Sequence, residues 1–315
     1  MHTAFRYGQV IKEHKQQLIY NKNEVMRDKF LVVVHIIVLI GIYVVSYILS
    51  GQITQLASDI PKEIDFLRII LGGVLVILIF YLGARLYAGK VMKRSLRDFR
   101  IKMKKPDLFW VIVAIIIPFL VVLFYVVTDY VNFKNGQSDT YHTIRYFTRV
   151  LFIGGFTAAI MEEFFFRGVL MGYLEKKYGL LWAILIPSLL FGPPHLLNVE
   201  NPSITLIIQF TLFALIFGIV VSLLVYYTNN IWNSISVHAA WNIITSFIIK
   251  QDATINSNFI LQLKTKSLLL TGGEYGIGIS VIGLAGYSMI GIILILYMRG
   301  IIRNKYHPKK NIITS

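Results

Sequence analysis

Apolar runs of roughly 20 residues recur along this chain, and each can span about 30 Å of hydrocarbon at 1.5 Å per residue. Eight such segments are read, at approximately 30–50, 69–89, 108–129, 149–173, 180–198, 204–227, 231–249 and 276–298. The expected fold is all-α, a polytopic membrane helical bundle of about eight transmembrane helices. Composition agrees: 56% of the 315 residues are hydrophobic and 15% are charged, against about a quarter charged in soluble domains. Mean hydropathy is +0.66.

The segments between runs are short, except near 130–146 and 250–275. The second of these, with Asp252, Ser257 and Thr265, reads as a surface loop. No internal repeat or low-complexity linker interrupts the chain. The expected domains are a cytoplasmic arm at 1–29, one integral-membrane domain at 30–298 and a basic cytoplasmic tail at 299–315. The polar first 29 residues lack a signal peptide's apolar core and cleavage site.

The net charge of +15 suits cytoplasmic loops rich in lysine and arginine. No nucleic-acid-binding motif accompanies it. The arm carries Arg6, Lys12, Lys15, Lys22, Arg27 and Lys29, and the loop after the second run carries eight basic residues from Lys90 to Lys105. Lys176 and Lys177 follow the fourth run, and the tail adds Arg299, Arg303, Lys305, Lys309 and Lys310. Alternate loops are poorer, with Lys62 and Arg68, then Lys134 and Arg145, then Lys250, Lys264 and Lys266. The alternation places both termini in the cytoplasm of a multi-pass plasma-membrane protein. Arg85 reads as snorkelling toward head groups, and the 90–105 loop as touching anionic lipid.

Against this background Glu162-Glu163-Phe164-Phe165-Phe166-Arg167 stands out. Charges at membrane depth cost at least about 2.5–3.5 kcal/mol each and mark functional sites. Residues four apart on a helix meet, whereas neighbours point about 100° apart. Glu163 therefore aligns with Arg167 as a helix-holding pair, and Glu162 is left to face a cavity, where an apolar setting suits a general base or acid. The plainer reading is an acid cluster that only locks packing.

His195 follows Phe191-Gly192-Pro193-Pro194. Glycine and two prolines predict a break in the helix, which is tolerated at depth where it lines a cavity. His238 and Asn242 share a helix face and could together donate to an oxyanion, or form a polar clasp between helices. At 1.5 Å per residue Glu162 falls near mid-membrane and His195 nearer the outer end of its run, so a tilted or broken helix is needed to join them. His35 reads as a packing residue.

Other protease chemistries fit less well. There is no cysteine, which removes a thiol nucleophile, a disulfide framework and a thiolate metal site. Gly286-Tyr287-Ser288 is followed only by tail His307, and Asp107 and Asp129 lie at the ends of runs, which disfavours serine and aspartyl types.

The ordered motifs resemble the CAAX protease and bacteriocin-processing (CPBP, or Abi) family of intramembrane endopeptidases. Glu-Glu-x-x-x-Arg is met by Glu162, Glu163 and Arg167, Phe-x-x-x-His by Phe191 and His195, and His-x-x-x-Asn by His238 and Asn242. The resemblance covers roughly residues 146–250. It implies peptide-bond hydrolysis in the membrane, with Glu162 and His195 activating water, His238 and Asn242 forming the oxyanion hole, and Glu163 and Arg167 in support. The implied partner is a membrane-associated peptide or protein substrate in a lipid bilayer. No cofactor is expected. A zinc-dependent version would use Glu162, His195 and His238, although the His-Glu-x-x-His segment of zinc proteases is missing. Richness in Ile, Asn and Lys points to an AT-rich prokaryote, hence to bacterial peptide pheromone or bacteriocin processing, or self-immunity. The competing readings are a non-enzymatic immunity or scaffold protein and a proton-coupled transporter using Glu162 and His195. The transporter is disfavoured by the lack of inverted repeats.

Overall fold

The computed structural model describes residues 30–56, 61–134, 139–197, 199–249 and 260–306. The N-terminal arm to Lys29, Lys250, Asp252, Ser257, and Lys309 and Lys310 of the tail lie outside them. Contacts divide the chain into two units, Met1–Val45 and Ser46–Ser315. The motif helices and the site lie in the second.

The chain is an all-α polytopic bundle. In order, its helices are α1 (Phe30–Gln55), α2 (Asp65–Lys90), α3 (Leu108–Val127), α4 (140–178), α5 (Leu180–Leu196), α6 (Ile204–Thr228), α7 (Ile231–Thr245) and α8 (Val281–Tyr306). Each of the eight segments read as a span is helical over most of its length. Five of these helices, α1, α2, α3, α6 and α8, are long and apolar enough to cross a membrane. The other three carry the motifs. Their acids, arginine, histidines and prolines lower the apolar content, and α7 at 15 residues rises only about 22 Å. These helices are held mainly by protein neighbours: Met161, Glu163 and Phe164–Met171 on α4 are buried, as are Asn233, Ser234, His238 and Trp241 on α7.

Helix starts are set by side-chain caps. Asp139 accepts the His142 N–H before α4, Ser203 accepts the Leu206 N–H before α6, and Asn230 accepts the Trp232 N–H before α7. The joints are tight. Gly179 turns between α4 and α5 at φ +81°, a left-handed position that glycine tolerates without strain. Asn229 does the same between α6 and α7 at φ +47°.

The stretch 260–275, read as loop, is instead ordered against the bundle. A three-stranded sheet has the order β1–β3–β2. In it β1 (Val131–Lys134) pairs antiparallel with β3 (Ile260–Leu263), and β2 (Ile248–Ile249) pairs parallel with β3. The Tyr125 hydroxyl on α3 donates to the Leu270 carbonyl at 2.5 Å and lies 2.8 Å from Ser280 Oγ, fastening the segment that follows. At the tail, α8 continues to Tyr306.

Two anchors orient the motif helices. The basic 90–105 segment folds back, burying Leu96, Phe99 and Ile101. Its end is pinned to the start of α7: the Asp107 N–H donates to Asn233 Oδ1 at 2.8 Å, and Asn233 Nδ2 donates to Asp107 Oδ2 at 2.7 Å. Gly218 on α6 lets α5 approach so closely that a Cβ there would lie 2.5 Å from Ser188 Oγ. Close backbone approach through small residues is how helices pack in lipid.

Candidate active site

Helix α4 is not uniformly wound. Residues Arg149–Thr157 and Phe164–Leu170 are π-helical on either side of an α-helical turn at Ala158–Glu163. Such widened turns recur at functional sites. Between the two stretches lie the acids. Glu163 and Arg167 side chains are both fully buried and pair at 3.0 Å, as their four-residue spacing requires.

On α5 the helix bends at Gly192 and resumes for one turn at Pro193–Leu196, with proline at the first two positions. Proline suits the start of a helix because no N–H bond is lost there. The bend is therefore a kink with helical backbone on both sides, and it aims His195 inward. Nδ1 of His195 donates to the Phe191 carbonyl at 2.9 Å. A carbonyl only accepts, so that nitrogen carries the proton, and Nε2 is the atom that faces Glu162 Oε1, 3.8 Å away.

His238 comes from α7. Its Nδ1 lies 3.0 Å from Glu163 Oε1 and its Nε2 lies 3.6 Å from Glu162 Oε2. Glu163, ionised beside Arg167, can only accept, so Nδ1 again carries the proton. Both imidazoles thus present Nε2 to one carboxylate. Glu162 and His195, far apart by run position, meet at 3.8 Å just beyond the α5 kink.

Exposure separates the roles. Glu163 and Arg167 are 0% exposed and His238 4%, whereas Glu162 is 13% exposed and His195 32%. Glu162 and His195 therefore stand where an outside molecule can reach them. Asn242, one turn beyond His238, donates from Nδ2 to the Gly154 carbonyl at 2.9 Å. Its other amide N–H remains for a ligand. The structure thus gathers Glu162, Glu163, Arg167, His195 and His238 into one cluster and sets Asn242 at its edge. Among the described residues, no group of three or more His, Asp or Glu side chains is arranged to hold a metal ion.

Residues 144–244 match the family model described as Rce1-like, type II CAAX prenyl endopeptidase. That segment is similar to the Rce1-like family. It contains all three motifs and spans about a third of the chain, in agreement with the resemblance read from the motifs. Neither among curated proteins nor among solved structures does a match appear.

The matched segment also supplies an aromatic wall, of which Phe217 lies outside the motifs. Arg167 Cζ sits 4.9 Å from the ring centroid of Phe217, 5.1 Å from that of Phe191 and 5.7 Å from that of Phe166. Phe217 meets His238 edge-on at 4.7 Å, and Phe191 lies 4.9 Å from the His195 ring. Aromatic faces attract a desolvated guanidinium, so these rings hold Arg167 while excluding water from its salt bridge. Phe210, Phe213 and Phe217 on α6 stand at helical spacing, a sequence signal that could have been taken as a packing stripe aimed at the site. Tyr275, outside the matched segment, donates its hydroxyl hydrogen bond to the His195 carbonyl.

Proposed function

We propose that this protein is an intramembrane endopeptidase that hydrolyses a peptide bond in a membrane-associated peptide or protein. The observation that carries the reading is the convergence of the His195 and His238 Nε2 atoms on the partly exposed Glu162 carboxylate. A water held between Glu162 and His195 gives its proton to Glu162 while its oxygen attacks the scissile carbonyl carbon. His238, as imidazolium, donates from Nε2 to the oxyanion, and the spare Asn242 N–H donates beside it. Glu162 then returns the proton to the leaving amine as the C–N bond breaks. Glu163 and Arg167 position His238 and do not touch the substrate.

In this reading the membrane domain runs from 30 to 298, with its catalytic core at about 146–250. Both termini lie in the cytoplasm, and the mechanism uses no cofactor. The substrate class is a bacterial peptide, in pheromone or bacteriocin processing or self-immunity.

The test is purified protein in lipid with a membrane-peptide library, comparing wild type with Glu162→Gln and His238→Ala. Loss of cleavage in both supports the reading, and undiminished cleavage in both removes it. Chelator treatment addresses the mechanism separately. Activity lost to chelator and restored by zinc would replace the metal-free route with one in which Glu162, His195 and His238 would hold the ion and the ion would supply Lewis-acid activation of water.

A further inference from the structure

A second polar cluster lies at the other end of α2 from the basic 90–105 segment. Asp65, buried at the start of α2, accepts from Arg68 Nε at 2.8 Å through Oδ1 and from Arg145 Nη1 at 2.8 Å through Oδ2. The Tyr141 hydroxyl lies 3.4 Å from Oδ2. This is a clasp between α2 and α4, and it fully occupies the one carboxylate. It occupies Nε and Nη2 of Arg68 and Nη1 of Arg145, and since each guanidinium has five N–H donors, others remain on both.

Beside the clasp is a cavity of about 370 Å³ lined by Thr54, Arg68, Ile69, Gly72, Arg145, Arg149 and Ile153. The Arg149 side chain makes no ion pair or hydrogen bond among the described residues, its backbone N–H alone being bonded, to the Arg145 and Tyr146 carbonyls. Among the described residues, three arginines thus line one cavity with Asp65 as the acid bonded to two of them, an excess of two positive charges. Along the helices, Gly72 follows Arg68 by one turn on α2 and Ile153 follows Arg149 by one turn on α4, with Thr54 beside Gly72. Converging arginines match the geometry of phosphate oxygens through paired N–H donors.

We propose that this cavity binds a phosphate group, held by Arg149, Arg68 and Arg145, with a phospholipid headgroup as its source. That succession carries the choice of source: the phosphate meets the arginines while the start of the acyl region lies along Ile69, Gly72 and Ile153. The site stands apart from Glu162. Arg149 is 13 residues earlier on α4, roughly 20 Å at α-helical rise, so this proposal does not depend on the protease reading.

Native mass spectrometry of the delipidated full chain tests it, with dioleoylphosphatidylglycerol, dioleoylglycerol (which lacks the phosphate) and inorganic phosphate as probes. The expected result is one retained phosphatidylglycerol and no retained dioleoylglycerol. Arg149→Gln, which leaves the Asp65 clasp intact, should weaken the adduct roughly tenfold or more. Gly72→Val should weaken it too, since Gly72 lines the cavity and its added side chain would begin 3.4 Å from Thr54 Cγ2, also in the lining, and 3.9 Å from Ser50 Oγ. If inorganic phosphate binds in an Arg149-dependent way and the lipid does not, the phosphate site stands with a free anion as its source. Failure of both probes to bind, or binding that Arg149→Gln leaves unchanged, overturns the proposal.

Discussion

Nδ1 of His238 lies 3.0 Å from Oε1 of Glu163, so the buried acid that pairs with Arg167 also holds the imidazole of another helix. The same ring meets Glu162 through its other nitrogen at 3.6 Å. Two adjacent acids, which helical geometry points apart, thus converge on one histidine from opposite sides. Glu163 and Arg167 together carry no net charge, the state that burial favours, and Glu163 fixes which His238 nitrogen faces Glu162.

Glu163→Gln tests that fixing. A glutamine amide can present either an oxygen or an NH2 to Nδ1, so the ring is no longer confined to one tautomer, and the charge that supports an imidazolium is gone. We expect kcat to fall about 100-fold to 10,000-fold, by analogy with acid-to-amide changes in imidazole-orienting groups. KM should change little, because Glu163 is 0% exposed and cannot meet substrate. A rise in KM at constant kcat would place Glu163 in substrate binding and contradict the geometry.

Arg167→Met separates stability from chemistry. It leaves Glu163 charged without its partner in a fully buried site, which costs about 3–5 kcal/mol. Adding Glu163→Gln removes the stranded charge, so thermal unfolding in detergent should recover most of the loss. Cleavage should stay low in the double variant, because His238 is still unfixed. If the double variant is no more stable than Arg167→Met, the damage comes from lost packing against Phe191 and Phe217 and not from the charge.

Much of this fold was legible from run length, and the site from spacing. The eight helical segments follow from apolar runs, and the Glu163–Arg167 pair follows from a separation of four. What stayed hidden was long-range. Nothing in the local sequence of α7 says that His238 Nδ1 will find Glu163, 75 residues away. Nor does periodicity reveal the π-helical turns around the acids, since they shift side chains by a fraction of a turn that a 3.6-residue pattern absorbs. Residues 260–263 were missed as strand because a four-residue strand pairing with β1 and β2 draws its stability from distant neighbours. His195 was visible as a motif, but its orientation depends on the bend at Gly192 and on the carbonyl of Phe191.

Gly218→Ala tests whether the close approach of α5 and α6 sets the position of His195. The added Cβ would lie 2.5 Å from Ser188 Oγ and 2.8 Å from Ser188 Cα, so the helices must part. Overpacking of this kind costs about 1–3 kcal/mol. We expect a lower unfolding temperature and a loss of cleavage larger than that loss of folded protein explains. Gly89→Ala on α2 is the control, since nothing lies within 4 Å of its Cβ. It should be neutral or stabilising by up to about 1 kcal/mol, with cleavage unchanged.

Asn242 presents the sharpest test of the oxyanion assignment, because one of its two amide hydrogens is already given to the Gly154 carbonyl at 2.9 Å. That bond ties α7 to the π-helical stretch before the acids and aims the remaining N–H. Asn242→Ala removes both donors, and loss of one oxyanion donor elsewhere costs about 100-fold to 1,000-fold in kcat. A change of that size with KM nearly constant is expected. Asn242→Asp is the discriminating variant. Its ionised carboxylate would face the Gly154 carbonyl and the developing oxyanion with acceptors only, so it should cleave more slowly than Asn242→Ala. Should Asn242→Asp instead match wild type, Asn242 would be a tether to Gly154 alone, and His238 would have to carry the oxyanion without it.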